Sequence, residues 1–149
     1  MKIKDIMSMN VISIDKSETI YDCAEKMKEH NIGFIVISDQ KKVIGILSDR
    51  DIVINYLANK DTSKLDKYIN RSIISVNIND DIEIACQKMK TYKIKRLVVT
   101  EDNKIKGIIS ISDLYNKIDE QVLIETIKEI FKNNKEIPFI ETEIKDFYL

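Results

Sequence analysis

The sequence predicts an α/β (α+β) fold in which one β–α–β–β–α unit is used twice. Three observations predict it. Shifting the 149-residue chain along itself by 62 positions aligns residues 10–53 with 72–115 without a gap. Each copy changes from strand-like to helical hydrophobic spacing in the same order. Each copy also carries the same motif, a glycine followed by two apolar residues, a serine, two variable residues and an aspartate. A repeat of this period marks one supersecondary unit whose copies bury a shared face.

The matched pairs include Ile12/Ile74, Ser13/Ser75, Ile20/Ile82, Met27/Met89, Ile32/Ile94 and Val36/Val98, and they continue through Gly45/Gly107, Ser48/Ser110 and Asp51/Asp113. The elements follow in order. Val11–Ile14 and Ile73–Val76 are short β-branched runs and read as first strands. Ser17 and Thr19 in one copy, Asn79 and Asp81 in the other, are candidate helix caps. Ile20, Cys23, Ala24 and Met27 fall at i, i+3, i+4 and i+7, as do Ile82, Ala85, Cys86 and Met89, so each set lies on one helical face. Phe34–Ile37 and Leu97–Val99 are near-continuous apolar runs, as buried strands require. Short polar turns lead from them into Val43–Leu47 and Ile105–Ile109, the pattern of a hairpin. Asp51–Leu57 and Asp113–Ile118 close the copies as second helices, and the polar stretch Ala58–Lys67 connects them.

Beyond the repeat, Leu123, Ile127, Ile130 and Phe131 predict an amphipathic helix. Asn133 and Asn134 end it, and Pro138, the only proline, prevents its simple continuation. Ile137, Phe139, Ile140, Phe147, Tyr148 and Leu149 then make an apolar terminus, expected to pack on its own domain or on a second subunit.

A single unit of about 50 residues has a marginal core, so the halves are expected to fold together. The chain is 44% hydrophobic and 33% charged, with 24 basic and 25 acidic residues and a net charge of −1. That balance gives no global attraction to nucleic acid or to an anionic membrane. No apolar run reaches the roughly 18–20 residues that span a bilayer. Met1–Asp5 lacks the features of a secretory signal, so a cytoplasmic location is expected. Cys23 and Cys86 each lie on an apolar helix face and read as buried small residues, not as metal ligands.

The chemistry lies in the motif, Gly45-Ile46-Leu47-Ser48-Asp49-Arg50-Asp51 and Gly107-Ile108-Ile109-Ser110-Ile111-Ser112-Asp113, where a buried strand hands over to a helix. A hydroxyl there stands beside the first amides of the helix, which can hold phosphate oxygens. A carboxylate on the first turn can accept two hydrogen bonds from a cis-diol, and the strand ends leave an apolar slot for a flat base. One isolated copy reads as a helix cap with a dipole-complementing acid. Two copies at the same place in a repeat favour a nucleoside-type site.

With this motif in this topology, the chain resembles a tandem pair of CBS domains, the arrangement called a Bateman module. The resemblance covers about residues 3–118. It gives a first repeat over 3–58, a connector over 59–67, a second repeat over 68–118, and a C-terminal helix and apolar tail over 119–149. It implies two repeats related by a pseudo-twofold axis, with two clefts between them that take adenosine-containing ligands: AMP, ADP, ATP, S-adenosylmethionine, NAD or a cyclic dinucleotide. It also implies a homodimer. By the resemblance the aspartate holds ribose and the hydroxyl contacts ribose or phosphate, and each cleft is completed by the opposite repeat. The first cleft then comprises Ser48, Arg50 and Asp51 with Ile74, Lys95, Arg96 and Leu97. The second comprises Ser110, Ser112 and Asp113 with Val11, Ile12, Gly33, Phe34 and Ile35. Arg96 aligns with Phe34, so the first cleft is expected to favour phosphorylated nucleotides, because a guanidinium binds phosphate bidentately. Many family members carry a proline in the second strand where this chain has Val36 and Val98.

Four function classes compete. Catalysis finds no support in a nucleophile–base pair, metal cluster or phosphate-cradling glycine loop, and the one histidine, His30, sits at a helix end. The leading reading is a regulatory module that binds an adenine nucleotide, with output through its oligomeric state or a protein partner. The alternative is an interaction module with vestigial pockets. Nucleic-acid binding rests only on the cations within 88–96 and lacks stacking aromatics beyond Tyr92.

Overall fold

The computed structural model describes residues 1–132 and 146–149, and the strand–helix–hairpin–helix order appears in it twice. In the first repeat, β1 (Ser13–Asp15) lies parallel to β2 (Phe34–Asp39), with α1 (Ile20–His30) as the crossover between them. Thr19 caps α1 reciprocally: the Asp22 amide donates to Thr19 Oγ1 at 3.1 Å and the Thr19 amide donates to Asp22 Oδ2 at 2.9 Å. The helix ends at Asn31, whose φ of 52° is the left-handed conformation of a C-cap. β2 then turns antiparallel into β3 (Lys42–Ser48) through Gln40 and Lys41, both at positive φ, as a two-residue hairpin loop demands. α2 (Asp49–Asp51) follows and runs on as a π-helical turn over Ile52–Leu57, where the Ala58 amide reaches back five residues to the Val53 carbonyl at 3.0 Å.

The second repeat reproduces this order. β4 (Ser75–Asn77) lies parallel to β5 (Arg96–Glu101), which pairs antiparallel with β6 (Lys104–Ser110), and α3 (Ile82–Tyr92) is the crossover. Even the sheet irregularity recurs, after Ile37 in one repeat and after Val99 in the other. α4 (Ile111–Leu114) departs from the expected helix. It stops at Tyr115, which is extended, and Asn116 turns at a φ of 64°. The first strands also begin two residues later than the β-branched runs suggest.

α5 (Glu120–Phe131) packs on α3 with a face that shares Leu123 and Ile130 with the expected one. Leu123, Thr126 and Ile130 are buried, whereas Ile127 and Phe131 are 38% and 63% exposed. The Thr126 hydroxyl is satisfied within the helix by the Val122 carbonyl at 2.7 Å. α5 also explains a difference between the repeats. Cys86, which accepts cover from Thr126 on α5, is buried, while its counterpart Ala24 on α1 is exposed. Finally β7 (Phe147–Tyr148) adds antiparallel to β3, with Phe147 buried. The end of the apolar terminus therefore packs on its own chain. Asn133, Asn134, Ile137, Pro138, Phe139 and Ile140 lie outside the described residues.

The chain divides into two compact units that do not follow the repeat boundaries. One holds Val11–Ile73 with the last residues of the chain, around a core of Ile14, Ile20, Cys23, Ile35, Ile37, Leu47, Tyr56 and Leu65. The other joins Met1–Asn10 to the chain from Ile74 through α5, and its core contains Ile3 beside Val76, Cys86, Met89, Leu97, Val99 and Ile109. Leu65, which falls inside the stretch expected to be a polar connector, is thus a core residue. It stands 62 positions after Ile3, so both repeats open on a buried aliphatic side chain.

Candidate functional site

In the first copy of the motif each residue has a local structural task. A Cβ on Gly45 would stand 2.8 Å from the Asn70 carbonyl oxygen and 2.8 Å from Ile69 Cδ1. The segment crossing there is held by Ile46, whose amide donates to the Asn70 carbonyl at 2.9 Å and whose carbonyl accepts from the Asn70 amide at 2.8 Å. Leu47 fills the core. Ser48 caps α2: the Asp51 amide donates to Ser48 Oγ at 3.1 Å, while the Ser48 amide and hydroxyl donate to Asp51 Oδ2 at 2.9 and 2.8 Å.

The expectation that phosphate oxygens find open amides at this helix start is corrected by the first unit. The Asp49 amide donates to the Gly33 carbonyl at 3.0 Å, the Arg50 amide to Asp49 Oδ1 at 2.8 Å, and the Asp51 amide to Ser48 Oγ. All three donors of the first turn have protein acceptors. A phosphate there is left to side chains, of which the exposed Arg50 is the cationic one in the motif.

The second copy follows the same plan. A Cβ on Gly107 would come within 2.5 Å of the Ser8 carbonyl oxygen, where Ser8 and Ile108 exchange backbone hydrogen bonds of 2.9 and 2.8 Å. The Ser110 amide and hydroxyl reach Asp113 Oδ2 at 2.7 and 2.6 Å, and Ser112 Oγ lies 2.7 Å from Ser110 Oγ. The Ile111 amide donates to the Lys95 carbonyl at 2.9 Å, matching the Asp49–Gly33 bond of the first unit.

Within each unit the second strand opens directly beside the motif serine. Phe34 pairs with Ser48, and Arg96 with Ser110. One unit therefore assembles Ser48, Arg50 and Asp51 with Gly33 and Phe34, and the other assembles Ser110, Ser112 and Asp113 with Lys95 and Arg96. Lys95 Nζ sits 4.7 Å from the centre of the Phe131 ring. Ile35 and Leu97 are buried in the cores of their own units. Val11 precedes β1. Ile12 and Ile74 accept, at their carbonyls, hydrogen bonds of 3.1 and 3.2 Å from the amides of Val36 and Val98. A proline at either valine would lack that donor.

Residues that sequence reasoning missed hold the segment crossing Gly45. Tyr56, fully buried, donates its hydroxyl to the Leu65 carbonyl, and the Tyr68 amide donates to the same hydroxyl at 3.2 Å. The Tyr68 hydroxyl reaches Asp61 Oδ2 at 2.9 Å, and its ring meets that of Tyr56 edge-on, 4.8 Å between centres. Lys67 and Ser63 also bind Asp61, and Lys67 above all, then Ser63 and Tyr68, holds its carboxyl well below the usual carboxylate range. The signal available was the 62-residue offset itself, which carries Ile3 to Leu65 and Ser8 to Asn70 outside the gapless alignment.

The cations of 88–96 are engaged within the second unit. Lys88 donates to the Ser75 carbonyl at 2.6 Å, and Lys90 and Lys93 pair with Glu125 and Glu129 at 3.3 and 3.1 Å. Burial pushes the Cys23 thiol up to about 11 and raises that of Cys86, so neither is a thiolate near neutral pH. His30 is exposed at the end of α1, 4.0 Å from Glu29. Among the described residues no group of three or more His, Cys, Asp or Glu side chains gathers to hold a metal ion, and no helix is long and apolar enough to cross a membrane.

Comparison with known proteins matches residues 3–57 and 65–120 to the family model described as CBS domain. The CBS domain-containing protein YhcV of Bacillus subtilis is 32% identical over 114 residues, covering 75% of this chain and 81% of YhcV. Hypoxic response protein 1 of Mycobacterium tuberculosis is 30% identical over 131 residues, covering 85% and 92% of the two chains. Among solved structures, the CBS domain pair of protein MJ0100, in complex with 5′-methylthioadenosine and S-adenosyl-L-methionine, superposes with a TM-score of 0.71 at 25% identity, over 78% of this chain and 94% of that one.

Proposed function

The chain belongs to the CBS domain family, and from that premise we propose that it is a regulatory module whose ligand contains adenosine. One observation carries the reading: a serine–aspartate pair stands at the strand-to-helix junction of both repeats in the same geometry. In each pair the serine bonds fall on Oδ2, so Oδ1 is the oxygen offered to a ribose diol. The ligands of the MJ0100 pair, 5′-methylthioadenosine and S-adenosyl-L-methionine, share the adenosine and carry no phosphate. That agrees with a first-turn helix whose amides are already bonded.

The proposed first site comprises Ser48, Arg50 and Asp51 with Ile74, Lys95, Arg96 and Leu97. The proposed second site comprises Ser110, Ser112 and Asp113 with Val11, Ile12, Gly33, Phe34 and Ile35. The first set holds Arg50, Lys95 and Arg96, whereas the second holds no cation. AMP, ADP and ATP therefore belong to the first site and less charged adenosines to the second. Output is a change of self-association or of a protein-binding surface, driven by the ligand's preference for one arrangement over another.

The same geometry favours a second reading. A capping box satisfies serine and aspartate without any ligand, as an interaction module with vestigial sites requires. Isothermal titration with AMP, ADP, ATP, S-adenosylmethionine, methylthioadenosine and NAD separates the two. Micromolar binding, about −8 kcal/mol, that weakens at least tenfold in Asp51→Asn or Asp113→Asn is the expected result. No heat from any of the six ligands favours the interaction module.

A further inference from the structure

The two repeats hold their opening segments in different ways. In the second unit Ile3 and Lys4 are tied by backbone bonds, the Ile3 amide to the Asp80 carbonyl at 2.9 Å and the Lys4 amide to the Ile78 carbonyl at 3.1 Å. Among the described residues the first unit has no such pair at Leu65 and Asp66. Its opening segment is held by a side chain instead. The Tyr56 hydroxyl stands between the Leu65 carbonyl and the Tyr68 amide, and Tyr68 is braced on Asp61. At the position 62 residues on, Tyr56 is replaced by Ile118, which has no hydroxyl.

Tyr56 belongs to the π-helical turn that continues directly from Asp51. The segment that it grips runs on through Asn70, which crosses Gly45, to Ile74, a residue of the proposed first site. We infer that Tyr56 is a positioning residue for that site: its hydroxyl latches the Leu65–Asn70 segment to the Asp51 helix, so that only the first site is coupled to a latch. The inference rests on the proposed ligand reading. It adds that the two sites differ in pre-organisation, because order already present in the segment need not be created on binding.

The test compares the full chain with its Tyr56→Phe variant, which keeps the ring and its packing and removes one oxygen. Amide hydrogen exchange is followed at Tyr68, Asn70 and Ile46, with Ser8 and Ile108 as the matching positions in the second unit. S-adenosylmethionine and AMP are titrated in parallel. The expected result is exchange at least tenfold faster at Tyr68, Asn70 and Ile46, unchanged exchange at Ser8 and Ile108, and about tenfold weaker binding at the Asp51-dependent site alone. Unchanged exchange at the three amides overturns the latch. Faster exchange with unaltered affinity overturns the positioning role and leaves Tyr56 structural. If the wild-type chain binds neither ligand, the ligand reading fails and with it the positioning role, while the exchange rates still decide whether the hydroxyl latches the segment.

Discussion

Gly45 and Gly107 show how a residue placed by one physical need can be read as serving another. In the sequence they open a ligand-type motif. In the structure each is where another stretch of backbone passes, with a Cβ position 2.8 Å from the Asn70 oxygen in one unit and 2.5 Å from the Ser8 oxygen in the other. Neither has a positive φ, so the requirement is space and not backbone freedom. Gly107→Ala is expected to cost about 1–3 kcal/mol, the usual penalty of forcing atoms into a packed region, read as a lowered urea midpoint at unchanged slope. Gly33→Ala is the control. Its Cβ would meet only the Asp49 carboxylate, at 2.9 Å, the movable end of a side chain, and the aligned residue in the second repeat is already Lys95. A loss within about 0.5 kcal/mol is expected there. Equal losses at the two positions would show that the crossing is not what selects glycine. The motif's serine and aspartate were legible in the sequence as a pair, and as either cap or ligand group. The used-up amide of Asp49 was not, because its acceptor is the carbonyl of Gly33, sixteen residues away.

At the scale of elements, periodicity found every long helix and left their orientation open where apolar residues lie on more than one face. α5 carries Val122, Leu123, Ile124, Ile127, Ile130 and Phe131, so more than one stripe fits a helical repeat. Packing against α3 selects Leu123, Thr126 and Ile130, with a Lys90–Glu125 pair between the two helices and a Lys93–Glu129 pair from the residue that ends α3. Leu123→Ala is therefore expected to cost about 2–5 kcal/mol, whereas Ile127→Ala, at a partly exposed site, costs well under half of that. Thermal or urea unfolding of the two variants checks the assignment, and an Ile127→Ala loss as large as that of Leu123→Ala would put Ile127 back on the buried face. The short elements were less legible. α4 stops after four residues where Tyr115 turns extended ahead of the left-handed Asn116, and the π-turn after Asp51 lengthens the matching helix. The segment around Asp61 adds a pH signature. Its carboxyl titrates lower in the folded chain than in the unfolded one, so the folded state is favoured above the ordinary aspartate pKa of about 3.9. That contribution is lost as the pH falls through the lower, folded-state value. The stability difference between wild type and Asp61→Asn should accordingly be constant from neutral pH down to about 5 and shrink in more acid solution. A difference that grew on acidification would contradict the Lys67–Asp61–Tyr68 arrangement.

Over the whole molecule, the unit of sequence and the unit of folding part company. The repeat reads as two successive blocks, yet Met1–Asn10 belongs with the chain beyond Ile74, and Leu65 to Asn70 close the unit of Val11–Ile73. This was legible only in part. The offset that relates Ile3 to Leu65 is visible in the sequence, but a lone apolar residue in a polar stretch has no period to announce it. The consequence concerns which half of the chain an N-terminal change harms. Ile3 is fully buried among Val76, Cys86, Met89, Leu97 and Ile109, more than seventy residues away in sequence. Ile3→Ala is expected to cost about 2–5 kcal/mol by leaving a cavity in that core. Native-state hydrogen exchange locates the loss. Amides of Met89, Val99 and Ile109 should exchange faster under mildly destabilising conditions, and those of Ile35, Ile37 and Leu47 should be less affected. A loss centred on the first repeat, to which Ile3 belongs by sequence, would mean that the N-terminal segment folds with its own repeat. The exchange of segments between the units would then be wrong, and so would any mechanism in which the residues after Ser8 and Asn70 are carried into position by backbone crossing Gly107 and Gly45.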